Sequence, residues 1–392
     1  MDTPISTGFS IRTITAGTNL DSGGDWFPIE EAVRFLDSAR QAFEDSGIPV
    51  QSTRIATQPL GILCREQGPD KGLEMLQNLD RFVTDQGLLL SVGPLLEEDV
   101  QDADFPSWAA ELVGTTRETY FSIAVSDQGS RVFPRSVQTA ARTIRAISQI
   151  GSNGEANFRF GAAARVPAST PFFPVAYHSG PPAFSIGLES AGLVSEAFEA
   201  TTDFSTATVA LRTLLEERLL PIQTRAEILS AETSRHYVGI DLSPAPSVGI
   251  SIAEPIESLT QQPFGTPTTL AACASITQAL RSAHLTSCGY SGLMLPLLED
   301  KVLARRAAEN RFGVQDLLLY SAICGTGLDV IPLPGDCDDD ELARLILDVA
   351  VLATRLGKPL AARLLPIPGK IAGDLVEFAN PHLTTSVVLP PG

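Results

Sequence analysis

Short apolar runs rich in β-branched residues alternate along the chain with longer stretches in which apolar residues recur every three or four positions. The short runs predict buried strands, and the longer stretches predict amphipathic helices. Strands are predicted at residues 9–14, 50–57, 88–92, 120–125, 157–165, 184–188, 237–242, 293–297, 328–331 and 360–365, with a further one at 385–389. This alternation is typical of βαβ units, so it predicts an α/β fold with about ten strands in a mostly parallel sheet.

The clearest βαβ unit lies near the C-terminal end of the sequence. A predicted strand at 329–334 leads to the acidic segment 338–341, which suits a helix N-terminus, and a second strand follows at 360–366. Both strands finish in a Pro-x-Pro-Gly turn, followed by Asp336 in one case and by Lys370 in the other. Because such crossovers make the two strands parallel, both turns are expected at carboxyl ends, where α/β proteins build their sites.

The 392 residues suit either one large domain or two ordinary ones. No low-complexity linker divides the chain, and the proline-rich stretch 167–182 carries too many bulky residues, such as Phe172 and Tyr177, to be a free tether. We interpret this stretch as an ordered loop over the sheet. Residues 1–392 are then one domain, because α/β barrels often run this long as one unit.

The formal net charge of −18 argues against partners that need clustered Lys and Arg, namely nucleic acid and an anionic membrane surface. The N-terminus lacks the features of a secretory signal, and no run of about 18 apolar residues predicts a membrane helix. The five cysteines are widely spaced, which argues against a disulfide framework or a zinc site. We therefore expect a cytoplasmic protein, and association into a homo-oligomer stays open.

The sequence contains no complete copy of three common catalytic motifs. Residues 289–292, Gly-Tyr-Ser-Gly, resemble half of a nucleophile elbow, but Leu293 stands where the last glycine is needed. No Gly-x-Gly-x-x-Gly sequence follows the first strand, and no Walker A sequence occurs. The sequence therefore implies no organic cofactor.

Carboxylates at predicted strand ends favour a hard divalent cation. The candidate ligands are Asp241, Asp329, Asp336 and Glu189. Oxygen ligands from several strand ends suit Mg²⁺ or Ca²⁺, which would polarise a substrate oxygen. The alternative for each carboxylate alone is a helix cap or a solvated turn, and Asp336 could cap the helix that begins near residue 340.

The basic residues are few, so their positions are informative. Arg12 and Arg54 lie in early predicted strands, and Arg159 lies inside an apolar-flanked run. A buried arginine needs either a carboxylate partner or an anionic ligand, so these three are candidate substrate-binding residues.

Two further residues are candidates for catalysis. Lys370 follows a strand end and Gly369, so it could supply a point charge beside a closely approaching ligand. His178 ends the aromatic loop 171–177 and could act as a general acid or base. The alternatives are a solvated turn lysine and a histidine packed against Tyr177.

Several segments together resemble a single family. They are IRTIT at 11–15, the loop 171–178, GIDLSPAP at 239–246, CGTGLDVIPLPGD at 324–336 and PIPGK at 366–370 with the residues up to 378. The chain resembles, over about residues 10–378, the family catalogued as domain of unknown function 711, whose members are also called PFL-like proteins. The resemblance implies a fold similar to the ten-stranded α/β barrel of pyruvate formate-lyase and ribonucleotide reductase.

The radical chemistry of those enzymes does not carry over with the fold. They need a glycyl-radical loop near the C-terminus and a thiyl cysteine at the barrel centre. The segment 373–378 is not such a loop, and the chain has no adjacent cysteine pair. Glycyl-radical catalysis is therefore excluded from the interpretation, and a fold likeness alone does not assign an activity.

The leading interpretation is a cytoplasmic enzyme that acts on a small anionic metabolite with the help of a divalent cation. It depends on Asp241, Asp336, Lys370 and His178 meeting at one rim of the barrel. Lyase, isomerase and hydrolase chemistry all stay open. The alternatives are a non-catalytic metabolite-binding or sensory protein, and a scaffold in which these residues pair with one another.

Overall fold

The structure is a computed structural model that describes residues 8–20, 26–246 and 249–392. Its strands are β1 (Ser10–Thr18), β2 (Val50–Thr57), β3 (Leu89–Leu96), β4 (Thr119–Ala124), β5 (Phe160–Ala164), β6 (Ala183–Glu189), β7 (His236–Ala245), β8 (Gly327–Pro334), β9 (Leu360–Ile367), β10 (Leu375–Val376) and β11 (Ser386–Val387). Its α-helices are α1 (Phe27–Glu44), α2 (Gly61–Gln67), α3 (Pro69–Thr84), α4 (Phe105–Thr115), α5 (Pro134–Ser148), α6 (Ala191–Phe198), α7 (Phe204–Thr233), α8 (Ala253–Thr260), α9 (Thr269–Ser282), α10 (Lys301–Ala308), α11 (Val314–Ser321) and α12 (Asp339–Leu356). The α/β class predicted from the alternating pattern is confirmed.

Within the described ranges nine strands form one sheet, in the order β7-β6-β1-β2-β3-β4-β5-β9-β8. Neighbours are parallel throughout, except that β1 is antiparallel to β6 and β5 to β9. Strands β1 to β5 therefore run in one direction, and β6 to β9 run in the other. The sheet is mostly parallel, as predicted.

The segment 286–293 contacts β7, one outer strand of this sheet, and the residues just before β8, the other outer strand. Ser287 forms an isolated parallel bridge with Ile240 of β7. The carbonyl of Leu293 accepts a hydrogen bond at 2.8 Å from the backbone N–H of Gly325, two residues before β8. Gly292 and Gly325 lie so close that a Cβ on either would overlap the other's backbone, which explains the glycine at both positions.

Helix α12 shows how local sequence sets an element. Its N-cap Asp338 accepts a hydrogen bond from the backbone N–H of Glu341 at 2.8 Å, and the Glu341 carboxylate accepts one from the N–H of Asp338 at 2.9 Å. This capping box satisfies N–H groups that the first helical turn leaves free. Gly357, with φ of 64°, ends the helix in the left-handed conformation. Asp338 is therefore the cap, and Asp336 is an exposed turn residue before it.

Two strand predictions need correction. Residues 293–297 are buried but form no strand, because their backbone turns into a 3₁₀ helix at Leu297–Glu299 directly after Pro296. In the predicted strand 157–165, β5 begins only at Phe160, because Glu155–Arg159 forms a 3₁₀ helix after the left-handed Gly154. The short strand expected at 385–389 is confirmed as β11.

No helix among the described residues combines the length and the apolar character needed to cross a membrane.

Candidate functional site

Side chains from seven strands meet around one cavity that is partly open to solvent. The strands β1, β2, β3, β4, β6, β7 and β9 contribute, and the proline-rich loop covers part of it. The lining residues are Arg12, Thr13, Arg54, Leu89, Tyr120, Phe158, Pro171, Phe172, Phe173, Gly187, Leu188, Asp241, Ser243, Ala245, Met294 and Arg363. We call this space the arginine cavity.

A chain of buried ion pairs lies beside the arginine cavity. Arg12 donates to Glu299 at 2.9 Å, and Glu299 accepts from Arg363 at 3.1 Å through its other oxygen. Arg363 also donates from Nε to Asp329 at 2.5 Å. The side chains of Glu299, Arg363 and Asp329 are at most 5 % exposed, so water does not screen these charges.

The pKa values follow from burial and pairing. Burial alone would raise the pKa of Glu299, but Arg12 and Arg363 outweigh it and hold that pKa below its usual value. Burial dominates at Asp329 and raises its pKa despite the pairing with Arg363. The Asp329 Oδ2 atom is buried and has no hydrogen-bond partner within the described part of the chain. The carboxylate therefore relies on a single cation.

Arg363 is further held between two aromatic rings. Its guanidinium lies 5.0 Å from the ring centroid of Phe158 and 4.9 Å from that of Phe172. Cation–π contacts of this kind stabilise a guanidinium in a site with little water. The contacts fix the position of Arg363 at the wall of the arginine cavity.

Arg54 is the cavity arginine without an acidic partner among the described residues. Its Nε donates to Ser52 at 3.2 Å, and its guanidinium lies 4.9 Å from the ring centroid of Phe173. Burial, followed by repulsion from Arg12, lowers the pKa of Arg54 to about 10. The cavity therefore contains a guanidinium that forms no ion pair with any carboxylate of the described residues.

Asp241, a predicted metal ligand, lines the arginine cavity but is already saturated with donors. It accepts hydrogen bonds from both N and Oγ of Ser243 and from the backbone N–H groups of Tyr290 and Ser291, all between 2.6 and 3.0 Å. Burial nevertheless raises the pKa of Asp241, against the effect of these donors. The carboxylate anchors the turn at 289–292. The glycines of that sequence are therefore explained by a structural turn, without a catalytic nucleophile.

Glu189, another predicted metal ligand, lies at the end of β6 and lines a second cavity, which shares Arg12 with the first. Its carboxylate accepts a hydrogen bond from Gln51. Burial raises the pKa of Glu189, and the charge of Arg12 opposes this rise. Glu189 and Asp241 therefore line different cavities.

His178, a predicted catalytic residue, is fully buried but lines neither cavity. Its backbone N–H donates to the carbonyl of Thr57 at 2.8 Å, and its Nε2 lies 3.0 Å from the carbonyl oxygen of Gly180. Burial lowers the pKa of His178, and its Nδ1 has no partner within the described residues. The ring packs against Gly17, where no side chain would fit.

The other predicted residues also lie outside both cavity linings. Arg159 binds the carbonyl oxygens of Val113 and Thr116 at the C-terminal end of α4, which suits a cation at the negative end of a helix. Asp336 is exposed and Lys370 is partly exposed in the two matching turns after β8 and β9. The structure thus gathers Arg12, Arg54 and Asp241 but does not bring Asp336, Lys370 or His178 to them.

The four predicted metal ligands are not gathered at one point. Among the residues that the structure describes, no group of three or more His, Cys, Asp or Glu side chains is arranged to hold a metal ion. The cation and the predicted catalytic roles stay predictions.

Two residues of the site, Arg363 and Glu299, were missing from the predicted site residues. The argument applied to Arg159, that an arginine in an apolar strand needs a partner or a ligand, applies better to Arg363. Arg363 lies in the middle of β9, where all eight residues are buried. The same sequence signal could therefore have identified it.

Comparisons with known proteins identify the same family that the sequence motifs resemble. The family profile described as Uncharacterised ACR (DUF711) matches residues 5–380. The chain is 29% identical to a "UPF0210 protein" of Desulforudis audaxviator (strain MP104C), over 94% of this chain and 88% of that protein. It is 28% identical to one of Pyrobaculum arsenaticum (strain DSM 13514 / JCM 11321 / PZ6), over 91% and 82%. A third, from Oenococcus oeni (strain ATCC BAA-331 / PSU-1), is 25% identical over 95% and 89%. Because the profile spans nearly the whole chain, the protein belongs to the DUF711 family.

Proposed function

We propose that this protein binds a small anionic metabolite in the arginine cavity and acts on it as a cytoplasmic enzyme. The observation that carries the proposal is Arg54, a cavity-lining arginine that forms no ion pair among the described residues. Arg12, Arg54 and Arg363 line one space, but the ion pairs with Glu299 and Asp329 hold only Arg12 and Arg363. A guanidinium in a poorly hydrated site is costly without a counter-charge, so an anionic ligand beside Arg54 is favoured.

The lining of the cavity suits a small molecule. Ligand sites of proteins combine mostly apolar walls with a few polar groups. The arginine cavity has this character, because aromatic and aliphatic side chains make up most of its lining.

Perturbed acid–base groups in the same space favour an enzyme. The pKa of Arg54 is lowered to about 10 by burial and by Arg12. Burial raises the pKa of Tyr120, and so does the nearby Glu118. Burial also raises the pKa of Asp241, which is then the cavity acid that would exchange a proton with the ligand. His178 and Lys370 have no part in this proposal, and the reaction class stays open.

A binding or sensory protein is the second candidate. The four hydrogen bonds that hold Asp241 favour it, because they fix the carboxylate as a static contact. Turnover of a bound acid distinguishes the two candidates.

We further propose that the sheet closes into a ten-stranded barrel similar to that of pyruvate formate-lyase, with residues 1–392 as one domain. Two facts support closure. Side chains from seven strands converge on one cavity, and the segment 286–293 contacts both β7 and Gly325, two residues before β8. A crystal structure with this segment away from either edge strand would contradict the closure.

A thermal-shift screen of the full-length protein tests the proposed function. The panel contains small mono- and dianionic acids, neutral analogues, MgCl₂ and CaCl₂. A ligand at 100 times its dissociation constant adds about 2.7 kcal/mol to the free energy of unfolding, which is readily measured. We expect acids to shift the midpoint, and NMR of the best acid over hours then shows whether it is converted.

The location is tested with Ala245→Leu, which adds volume at the cavity wall, and with Ala231→Leu on the exposed face of α7 as the matched control. The first should abolish the shift and the second should preserve it. If no acid shifts the midpoint, or if Ala245→Leu binds normally, the proposed function is wrong.

A further inference from the structure

We infer that the ligand of the arginine cavity is a monocarboxylate with a small apolar body, and that Arg54 binds its carboxylate. This inference rests on the proposed function and narrows it from any small anion to one chemical class.

The first argument is the geometry of Arg54. Its Nε donates to Ser52 at 3.2 Å, and its two terminal nitrogens have no hydrogen-bond partner among the described residues. Its guanidinium lies 4.9 Å from the ring centroid of Phe173. The two terminal nitrogens are therefore available to a ligand. A planar carboxylate accepts two parallel hydrogen bonds from such an edge.

The second argument is the count of charges. Glu299 lies between Arg12 and Arg363, and Asp329 gives Arg363 a second carboxylate. These four side chains carry two positive and two negative charges, whereas Arg54 forms no ion pair among the described residues. Asp241 lines the same cavity but is not paired with Arg54, since its hydrogen bonds come from Ser243, Tyr290 and Ser291. One negative charge on the ligand pairs with Arg54, whereas a dianion would bring a second negative charge into a cavity that already contains Asp241.

The third argument is the character of the remaining wall. Leu89, Leu188, Met294, Phe172 and Phe173 line the cavity, and each presents apolar surface. Contact with such a wall favours an apolar body on the ligand, because it removes apolar surface from water. A fully polar acid would forgo this gain.

Isothermal titration calorimetry of the full-length protein with four probes tests the class of ligand. The probes are 4-methylpentanoate, its neutral analogue 4-methylpentanamide, the dianion 3-methylbutylphosphonate at pH 8.5, and acetate. We expect 4-methylpentanoate to bind at least about tenfold more tightly than each of the other three. Equal or tighter binding of the amide or the phosphonate overturns the inference, and so does equal binding of acetate or no binding of 4-methylpentanoate.

Arg54→Met tests the anchoring residue, with Arg117→Met at an exposed surface pair as the matched control. Loss of the guanidinium should weaken binding of 4-methylpentanoate by at least about thirtyfold, and the control should leave it unchanged. Arg54→Lys keeps the charge but loses the bidentate geometry, so it should retain part of the affinity. Unchanged binding by Arg54→Met overturns the assignment of Arg54.

These outcomes separate the inference from the function on which it rests. If the phosphonate or another dianion from the thermal-shift panel binds in the cavity and 4-methylpentanoate does not, the monocarboxylate class is wrong and the proposed anion-binding function stands. If Ala245→Leu leaves binding of every acid intact, the proposed function itself is wrong.

Discussion

Glu299 joins the two arginines of the ion-pair chain, so Glu299→Gln should be costly to stability. The carboxylate is 5 % exposed and accepts hydrogen bonds from Arg12 at 2.9 Å and from Arg363 at 3.1 Å. Glutamine has the same shape but no charge, and its amide nitrogen cannot accept a hydrogen bond. The substitution thus leaves two guanidiniums beside one remaining carboxylate, Asp329.

The expected loss of stability depends on whether Arg12 and Arg363 keep water or another carboxylate as a partner. Removing one partner of a buried pair costs about 3–5 kcal/mol, because the other charge is left uncompensated. Arg12 is 24 % exposed and can regain water, and Arg363 keeps Asp329 at 2.5 Å, so the loss should be near the lower value. We expect about 3 kcal/mol less free energy of unfolding for Glu299→Gln. The control Asp85→Asn removes a carboxylate that is 58 % exposed and should lose less than about 1 kcal/mol.

Urea denaturation at pH 7 in low and in high salt measures both losses. The loss for Glu299→Gln should be nearly independent of salt, because counter-ions do not reach the buried pair. A loss below about 1 kcal/mol, or one that salt removes, would refute the reasoning.

The pH dependence gives a second test of the same residue. The pKa of Glu299 is lower in the folded protein than in the unfolded chain, because Arg12 and Arg363 outweigh its burial. Its stabilising contribution is therefore complete above the ordinary glutamate pKa of about 4.3 and is lost as the pH falls through the lower folded value. Glu299→Gln should lack this part of the acid destabilisation.

Two further substitutions test other parts of the structure. Lys358 is 7 % exposed, and burial lowers its pKa from the ordinary 10.5 to about 8. Its buried charge therefore destabilises the folded state below pH 8, and this destabilisation is gone above pH 10.5. Stability should rise by up to about 3 kcal/mol between these pH values, and urea denaturation of Lys358→Met should lack this rise; an equal rise in the variant would contradict the assignment. Gly17→Ala places a Cβ 2.7 Å from Cγ of the buried His178 and should cost about 2 kcal/mol. His178→Ala should relieve that cost in a double-mutant cycle, and additive losses would show that the two residues do not clash.

The sequence predicts most strands of the sheet correctly, because short-range patterns decide where strands and helices form. Nine predicted strands correspond to β1 to β9, and the capping box of α12 is visible as Asp338 followed three residues later by Glu341. The failures also have local causes. The buried run at 293–297 has the composition of a strand but ends in a 3₁₀ helix after Pro296, and burial alone does not specify pairing.

Which side chains share a cavity depends on contacts between distant residues, which local sequence does not specify. Arg12 and Arg54 were identified as arginines in strands, and both line the arginine cavity. Arg159 satisfied the same criterion but binds carbonyl groups at the end of α4. The two Pro-x-Pro-Gly turns predict site residues at Asp336 and Lys370. In the structure Asp336 lies in an exposed turn and Lys370 in a partly exposed one.

The periodicity and caps of the sequence by themselves determined the α/β class, the positions of most strands and the presence of basic residues within them. The tertiary structure alone decided which charges meet. Arg12 and Glu299 are 287 positions apart in the chain, and Arg363 reaches Glu299 across 64. Local propensity acts over a few residues, whereas the order and direction of the strands set the distance between such side chains. Within the described ranges, that arrangement gives Arg54 no ion-pair partner.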